Sequence, residues 1–259
     1  MNAARVEIPP ERAVADALAT SIQGVLGDAL VAIYLTGSAV TGGFDPGVSD
    51  LDLVVVTADP PDRIDLPGLR RMHDAFVRGR PEWQDRIEAV YVARTTLQSF
   101  RTSVDRLAVI SPGEPLHVRD DRPVLWLQNW YLARASGVAL VGPAASEIVP
   151  AISWPEFVEA TARYVAEVAD RLEADLSSGE LAYALLTTCR AAMTIRTDRS
   201  VTKQEAAIWV SQGMPESARL IAAALRCRLS GGTVGFDDPQ TQAAARTLVR
   251  RLASELRGS

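Results

Sequence analysis

From Trp154 onward the strand pattern disappears from this chain, and apolar residues recur only at helical spacing. Strands are therefore confined to the front of the chain, and the back must bury its apolar stripes helix against helix. Helices are expected near residues 154–176, 180–196, 203–212, 216–229 and 239–256. Ser153-Trp-Pro-Glu156 and Thr202-Lys-Gln-Glu205 have the order of a capping box, in which hydroxyl and carboxylate satisfy free amides at a helix start. The boundary is placed at Pro150, giving domains 1–150 and 151–259, and 259 residues suit two modest cores.

The front half reads differently. Pro10–Leu26 carries Val14, Leu18, Ile22 and Leu26 at helical spacing, with Gly27 as a stop. Val31–Leu35 reads as a strand, followed by a loop holding Gly37, Ser38, Gly42, Gly43 and Gly47, and then by the β-branched run Leu51–Thr57. Leu69–Arg80 reads as a helix and Ile87–Val92 as a third strand. Beyond Arg94 the reading is a turn at Ser111–Pro115, a helix over Val124–Ser136 and a short extended piece at Val138–Gly142.

Composition narrows the function classes. With 47% hydrophobic and 23% charged residues the chain is built to fold. No apolar run approaches the roughly 18 residues of a membrane span, and Glu7, Glu11 and Asp16 stand where a signal peptide needs apolar residues. The expectation is a cytoplasmic monomer with no membrane partner. Cys189 and Cys227 are read as reduced, small apolar residues, and with His73 and His117 as the only histidines no zinc cluster can be assembled. A net charge of −5 without a basic block disfavours long nucleic acids and suits a small cation.

The stretch that carries chemistry runs from Tyr34 to Val56. On a strand, residues two apart face one side, so Asp50 and Asp52 project together while Leu51 and Leu53 face the other layer. Paired carboxylates are hard oxygen ligands suited to Mg²⁺, which completes its shell with water and substrate phosphates. Gly37 permits close backbone approach and Ser38 offers a hydroxyl, so the preceding loop can hold a triphosphate. An isolated Asp-x-Asp would be an ordinary strand boundary. An acid at the second position of an apolar strand, just after a Gly-Ser turn, favours the site reading.

Gly37-Ser38, the following glycines and Ser49-Asp50-Leu-Asp52 resemble the signature of the polymerase-β-type nucleotidyltransferases. Leu140-Val-Gly-Pro143, Leu185-Leu-Thr-Thr-Cys-Arg190 and Val201-Thr-Lys203 through Trp209 are similar to the aminoglycoside 3″-adenylyltransferases that modify streptomycin and spectinomycin. The resemblance implies an α/β (α+β) nucleotidyltransferase domain with a small mixed sheet, followed by an all-α helical bundle. It implies transfer of AMP from ATP to a hydroxyl of a small, cationic substrate, with two Mg²⁺ ions held by Asp50, Asp52 and Glu88, and an antibiotic-resistance role. Glu88 stands where the family has a general base or third ligand, and a lone acid entering an apolar strand agrees with that.

Lys203 matches a family lysine near the phosphates, and is equally read as a solvated first-turn lysine. Arg190 is either an interdomain ion-pair partner, the preferred reading, or a phosphate contact. Glu180 lies where the family has an acid that contacts the aminoglycoside, and is equally an exposed helix-start glutamate. The chain departs from the antibiotic-modifying pattern at Leu172–Gly179, which offers Glu173 and Asp175 but no aromatic. Trp126 and Trp130, one turn apart, are read as core packing and His117 as a hydrogen-bonded loop residue. Two other functions fit the same fold: a regulatory nucleotide-binding protein, which would not require the full acidic set, and a protein AMPylator.

Overall fold

The computed structural model describes residues 10–173, 176–232 and 235–257, so Glu7 and Asp175 lie outside the described residues. The strands are β1 (Leu30–Thr36), β2 (Leu51–Thr57), β3 (Ile87–Ala93), β4 (Asp105–Ser111), β5 (Glu114–Asp121) and β6 (Val138–Val141). The helices of the front unit are α1 (Pro10–Leu26), α2 (Ser38–Thr41), α3 (Leu66–Arg78), α4 (Arg94–Gln98), α5 (Leu127–Ser136) and α6 (Ala145–Ile148). Those of the rear unit are α7 (Trp154–Asp170), α8 (Ser178–Thr197), α9 (Lys203–Gly213), α10 (Ala218–Leu229) and α11 (Pro239–Arg257). The two compact units divide between Ala151 and Ile152.

The front unit is built on a mixed sheet in the order β5-β4-β3-β2-β1-β6. Only the β2/β3 pair is parallel. α1 buries Ala15, Leu18, Ala19, Ile22 and Leu26, the one face that a 3.6-residue period aligns. α3 starts at Asp65, whose side chain accepts from the Gly68 amide, and Pro67 in the first turn gives up an amide that had no partner to find. Both helices cover one face of the sheet, where Ile33, Leu35, Leu51, Leu53, Ile87 and Ala89 meet Leu18, Ile22, Leu69 and Phe76. The pleat turns the alternate residues Thr36, Asp52 and Glu88 to the opposite face.

The β4–β5 hairpin is the main addition to the expected elements. Pro112 and Gly113 form its turn, with Gly113 at φ +77. Both strands are mostly charged at their outer ends, so their periodicity is weak, and Pro115, which lacks an amide hydrogen, is tolerated because β5 is an edge strand. Trp130 is fully buried, its indole N–H donates to the Pro123 carbonyl at 2.9 Å, and its ring centroid lies 6.2 Å from that of Trp126. That is core packing.

In the rear unit α8 packs against α7, α9, α10 and α11. Leu181, Leu185, Leu186, Cys189, Ala192 and Met193 are buried on it, as expected of a helix with neighbours on several sides. Alanines at 182, 206, 207, 224, 245 and 253 line the same core, and their small side chains let the helices approach closely. Cys189 and Cys227 are buried, are not joined in a disulfide and act as small apolar groups, and burial pushes the Cys189 thiol pKa up to about 12. No described helix is long and apolar enough to cross a membrane.

Candidate active site

The site begins with register. β1, β2 and β3 run side by side with Thr36 opposite Asp52 and Asp52 opposite Glu88, so three polar side chains form a row across otherwise apolar strands. Asp52 and Glu88 are half-buried residues at the second position of their parallel strands, and neighbouring strands lie only about 4.8 Å apart. Thr36 donates from its hydroxyl to the Asp52 carbonyl at 3.3 Å. The structure thus brings Asp52 and Glu88 together, and places Asp50 one residue ahead of β2, beside the start of β3.

Gly37 completes this end of the sheet. It sits at φ 65, ψ −148, a region closed to most side chains. A Cβ built on it would fall 1.8 Å from Asp52 Oδ2. The Gly37 backbone therefore lies directly against the Asp52 carboxylate, and Ser38 opens the short α2 that follows. Thr41 caps the turn by donating its hydroxyl to the Gly37 carbonyl at 3.0 Å.

Among the described residues no three Asp, Glu, His or Cys side chains form a ready-made metal cage. Magnesium needs none, because one or two carboxylates combine with substrate phosphates and water in its shell. The donor set of Asp52 and Glu88, with Asp50 at the strand entrance, is hard oxygen throughout and fits that ion.

Lys203 starts α9 behind the N-cap Thr202, and its Nζ lies 4.1 Å from the centroid of the half-exposed Tyr183 ring on α8. Thr202 and Glu205 form the expected capping box, as do Ser153 and Glu156. A further capping box pairs Ser177 with Glu180, whose Oε2 accepts from the Ser177 amide at 2.8 Å and hydroxyl at 2.6 Å. Those hydrogen bonds lower the pKa of Glu180 below the usual carboxylate range. The helix-start reading of Glu180 thus has a concrete partner. Arg190 is half-buried on α8. His117 lies on the edge strand β5, its Nδ1 2.9 Å from the Pro115 carbonyl.

Thr36, Arg86 and Tyr183 flank the named residues and belong to no motif of the sequence. Thr36 ends its strand and Arg86 precedes Ile87-Glu88, so each marks a strand end at the site, a signal open to anyone who had the register. Tyr183 is three residues beyond Glu180 and shares its face of α8.

The front unit sets strand acids beside a glycine turn, and a helical unit follows it along the chain. Residues 24–111 match the family model "Nucleotidyltransferase domain". Residues 147–255 match the model "Aminoglycoside adenylyltransferase, C-terminal domain", and the chain is an aminoglycoside adenylyltransferase-like nucleotidyltransferase. No curated protein matches it in a sequence search. Among solved structures, spectinomycin adenyltransferase AAD(9) from Enterococcus faecialis, crystallised with ATP and spectinomycin, matches with a TM-score of 0.69 and 19% identity. The match covers 91% of this chain and 98% of that one, and it establishes a shared fold.

Proposed function

We propose that this enzyme transfers AMP from Mg-ATP to a hydroxyl group of a small cationic molecule of the aminoglycoside or aminocyclitol class, releasing pyrophosphate. The observation that carries this reading is the register of Asp52 with Glu88 beside a glycine whose backbone lies against the Asp52 carboxylate. Both domain matches and the solved relative's ATP and spectinomycin support it.

In the reaction the acceptor oxygen bonds to the α-phosphorus while the bridging α–β P–O bond breaks, and pyrophosphate leaves with that electron pair. Asp50, Asp52 and Glu88 would hold magnesium, which supplies neutralisation of phosphate charge when bound. Glu88 accepts the proton of the attacking hydroxyl, for which a half-buried carboxylate at a strand start is suited. Gly37 and Ser38 hold the phosphates through close backbone approach and a hydroxyl.

The test is a screen of the full chain with Mg-ATP against streptomycin, spectinomycin and related compounds for the mass gain of one AMP group, with two variants alongside. Glu88→Gln is expected to lose roughly 10²–10⁴-fold in turnover with ATP binding retained, the usual contribution of a general base. Asp52→Asn is expected to abolish transfer with the fold intact. Near-normal pyrophosphate release by Asp52→Asn would remove the proposed role of that carboxylate.

A further inference from the structure

We infer that Arg86 is the positioning residue of the acidic site, setting Asp50 against Glu88; the inference rests on the metal-binding reading of those acids. Arg86 stands one residue ahead of β3 and two ahead of Glu88. Its Nη2 donates to the Ser49 carbonyl at 2.6 Å, and its own carbonyl accepts from the Leu51 amide at 2.9 Å. Both neighbours of Asp50 are thereby tied to one residue on the adjoining strand, one through a side chain and one through the backbone.

The arginine is itself held. Its amide donates to the Trp83 carbonyl at 3.2 Å, its Nη1 to the Glu82 carbonyl at 3.1 Å, and its guanidinium lies 4.6 Å from the Trp83 ring centroid. The other side of the clamp is equally rigid. Ser49 is only 5% exposed, its hydroxyl accepts from the Asp45 amide at 2.9 Å, and the amides of Val48 and Ser49 both donate to the Asp45 carbonyl. Phe44, at the head of the same loop, lies 6.4 Å from Trp83 between ring centroids.

The chemistry requires a guanidinium. A planar fork reaches two carbonyls and stacks on an indole at once, whereas an ammonium is a point donor. Among the described residues Nε of Arg86 is buried without a hydrogen-bond partner, so part of the guanidinium is desolvated without a compensating bond. Its removal is therefore expected to harm the site more than the fold.

The experiment compares Arg86→Gln and Arg86→Lys with the unaltered full chain. Mn²⁺ binding in the presence of a non-hydrolysable ATP analogue is titrated by electron paramagnetic resonance, and amide hydrogen exchange is followed at Val48, Ser49 and Leu51. Arg86→Gln is expected to weaken Mn²⁺ binding by roughly 10–100-fold, the range for residues that orient metal ligands, and to speed exchange at those amides. Arg86→Lys is expected to fall between. Unchanged Mn²⁺ binding in Arg86→Gln would overturn the proposal, as would a lowered Tm with normal metal binding and exchange. If Arg86→Gln fails to fold, Arg86→Lys decides, and metal binding equal to the unaltered chain refutes the clamp. Asp52→Asn in the same titration separates the two readings: normal Mn²⁺ binding there sinks the acidic site itself, whereas lost binding there with normal binding in Arg86→Gln sinks only the inference.

Discussion

Gly37 shows how one missing side chain shapes the site. Its φ of 65 with ψ of −148 lies in a region essentially restricted to glycine, which costs another residue roughly 1–3 kcal/mol. The larger effect is steric, because the Asp52 carboxylate occupies the space a methyl group would take. Gly37→Ala is expected to reduce stability by at least about 1–3 kcal/mol, since the Asp52 carboxylate must also move. It is expected to reduce turnover by roughly 10²-fold, the loss that follows a shift of about 1 Å in a reacting group. Denaturant titration and a steady-state assay on one preparation check this, and wild-type turnover in the alanine variant would place the chemistry elsewhere. Gly37, Asp50, Asp52 and Glu88 could all be singled out from sequence because polar residues interrupting apolar runs are conspicuous. Glu180 could not be decided that way, since a capping glutamate and a substrate-binding one leave the same mark, and only the hydrogen bonds to Ser177 reveal the first role.

At the scale of elements, α3 and β3 are joined by a buried polar contact that no pattern announces. His73 Nε2 lies 2.6 Å from the Tyr91 hydroxyl, while His73 Nδ1 is buried with no hydrogen-bond partner among the described residues. Burial lowers the His73 pKa to about 4, opposed in part by Asp74, and the imidazolium would in addition need a second acceptor that Nδ1 lacks. Burial also raises the Tyr91 pKa. His73 binds its proton less tightly folded than unfolded. Its neutral form therefore contributes fully above the unfolded value near 6.5 and is lost as pH falls toward 4. The swing is on the order of 3 kcal/mol. Unfolding free energies measured at intervals from pH 7 to pH 4 are expected to fall through that window, and His73→Phe is expected to flatten the fall while lowering stability at pH 7. Equal pH slopes in both proteins would exclude His73 as the cause. The same dependence on partners explains why a hairpin, and not a turn alone, surrounds Ser111–Pro115. β4 and β5 pair with each other and β4 pairs with β3, so their strand state depends on partners rather than on their own charged sequences.

Across the whole molecule the excess of acidic over basic residues gives a net charge of −5, a field that draws in cations and repels free anions. Raising salt from about 0.01 M to about 0.1 M shortens the screening length from about 30 Å to about 10 Å. For a polycationic acceptor found in the AMP-transfer screen, KM is expected to rise several-fold over that range while KM for ATP does not rise. A salt-independent acceptor KM would show that the field plays no part in capture. The sequence by itself determined the division into a sheet-bearing front and a helical rear, because hydrophobic period is a local property that each segment carries alone. It also marked the acids and the glycine turn, since burying charge within an apolar strand stands out wherever it occurs. Only tertiary structure decided that Thr36, Asp52 and Glu88 form one row and that Arg86 holds both neighbours of Asp50. Those relations depend on strand order and register, which long-range pairing sets and no local pattern encodes.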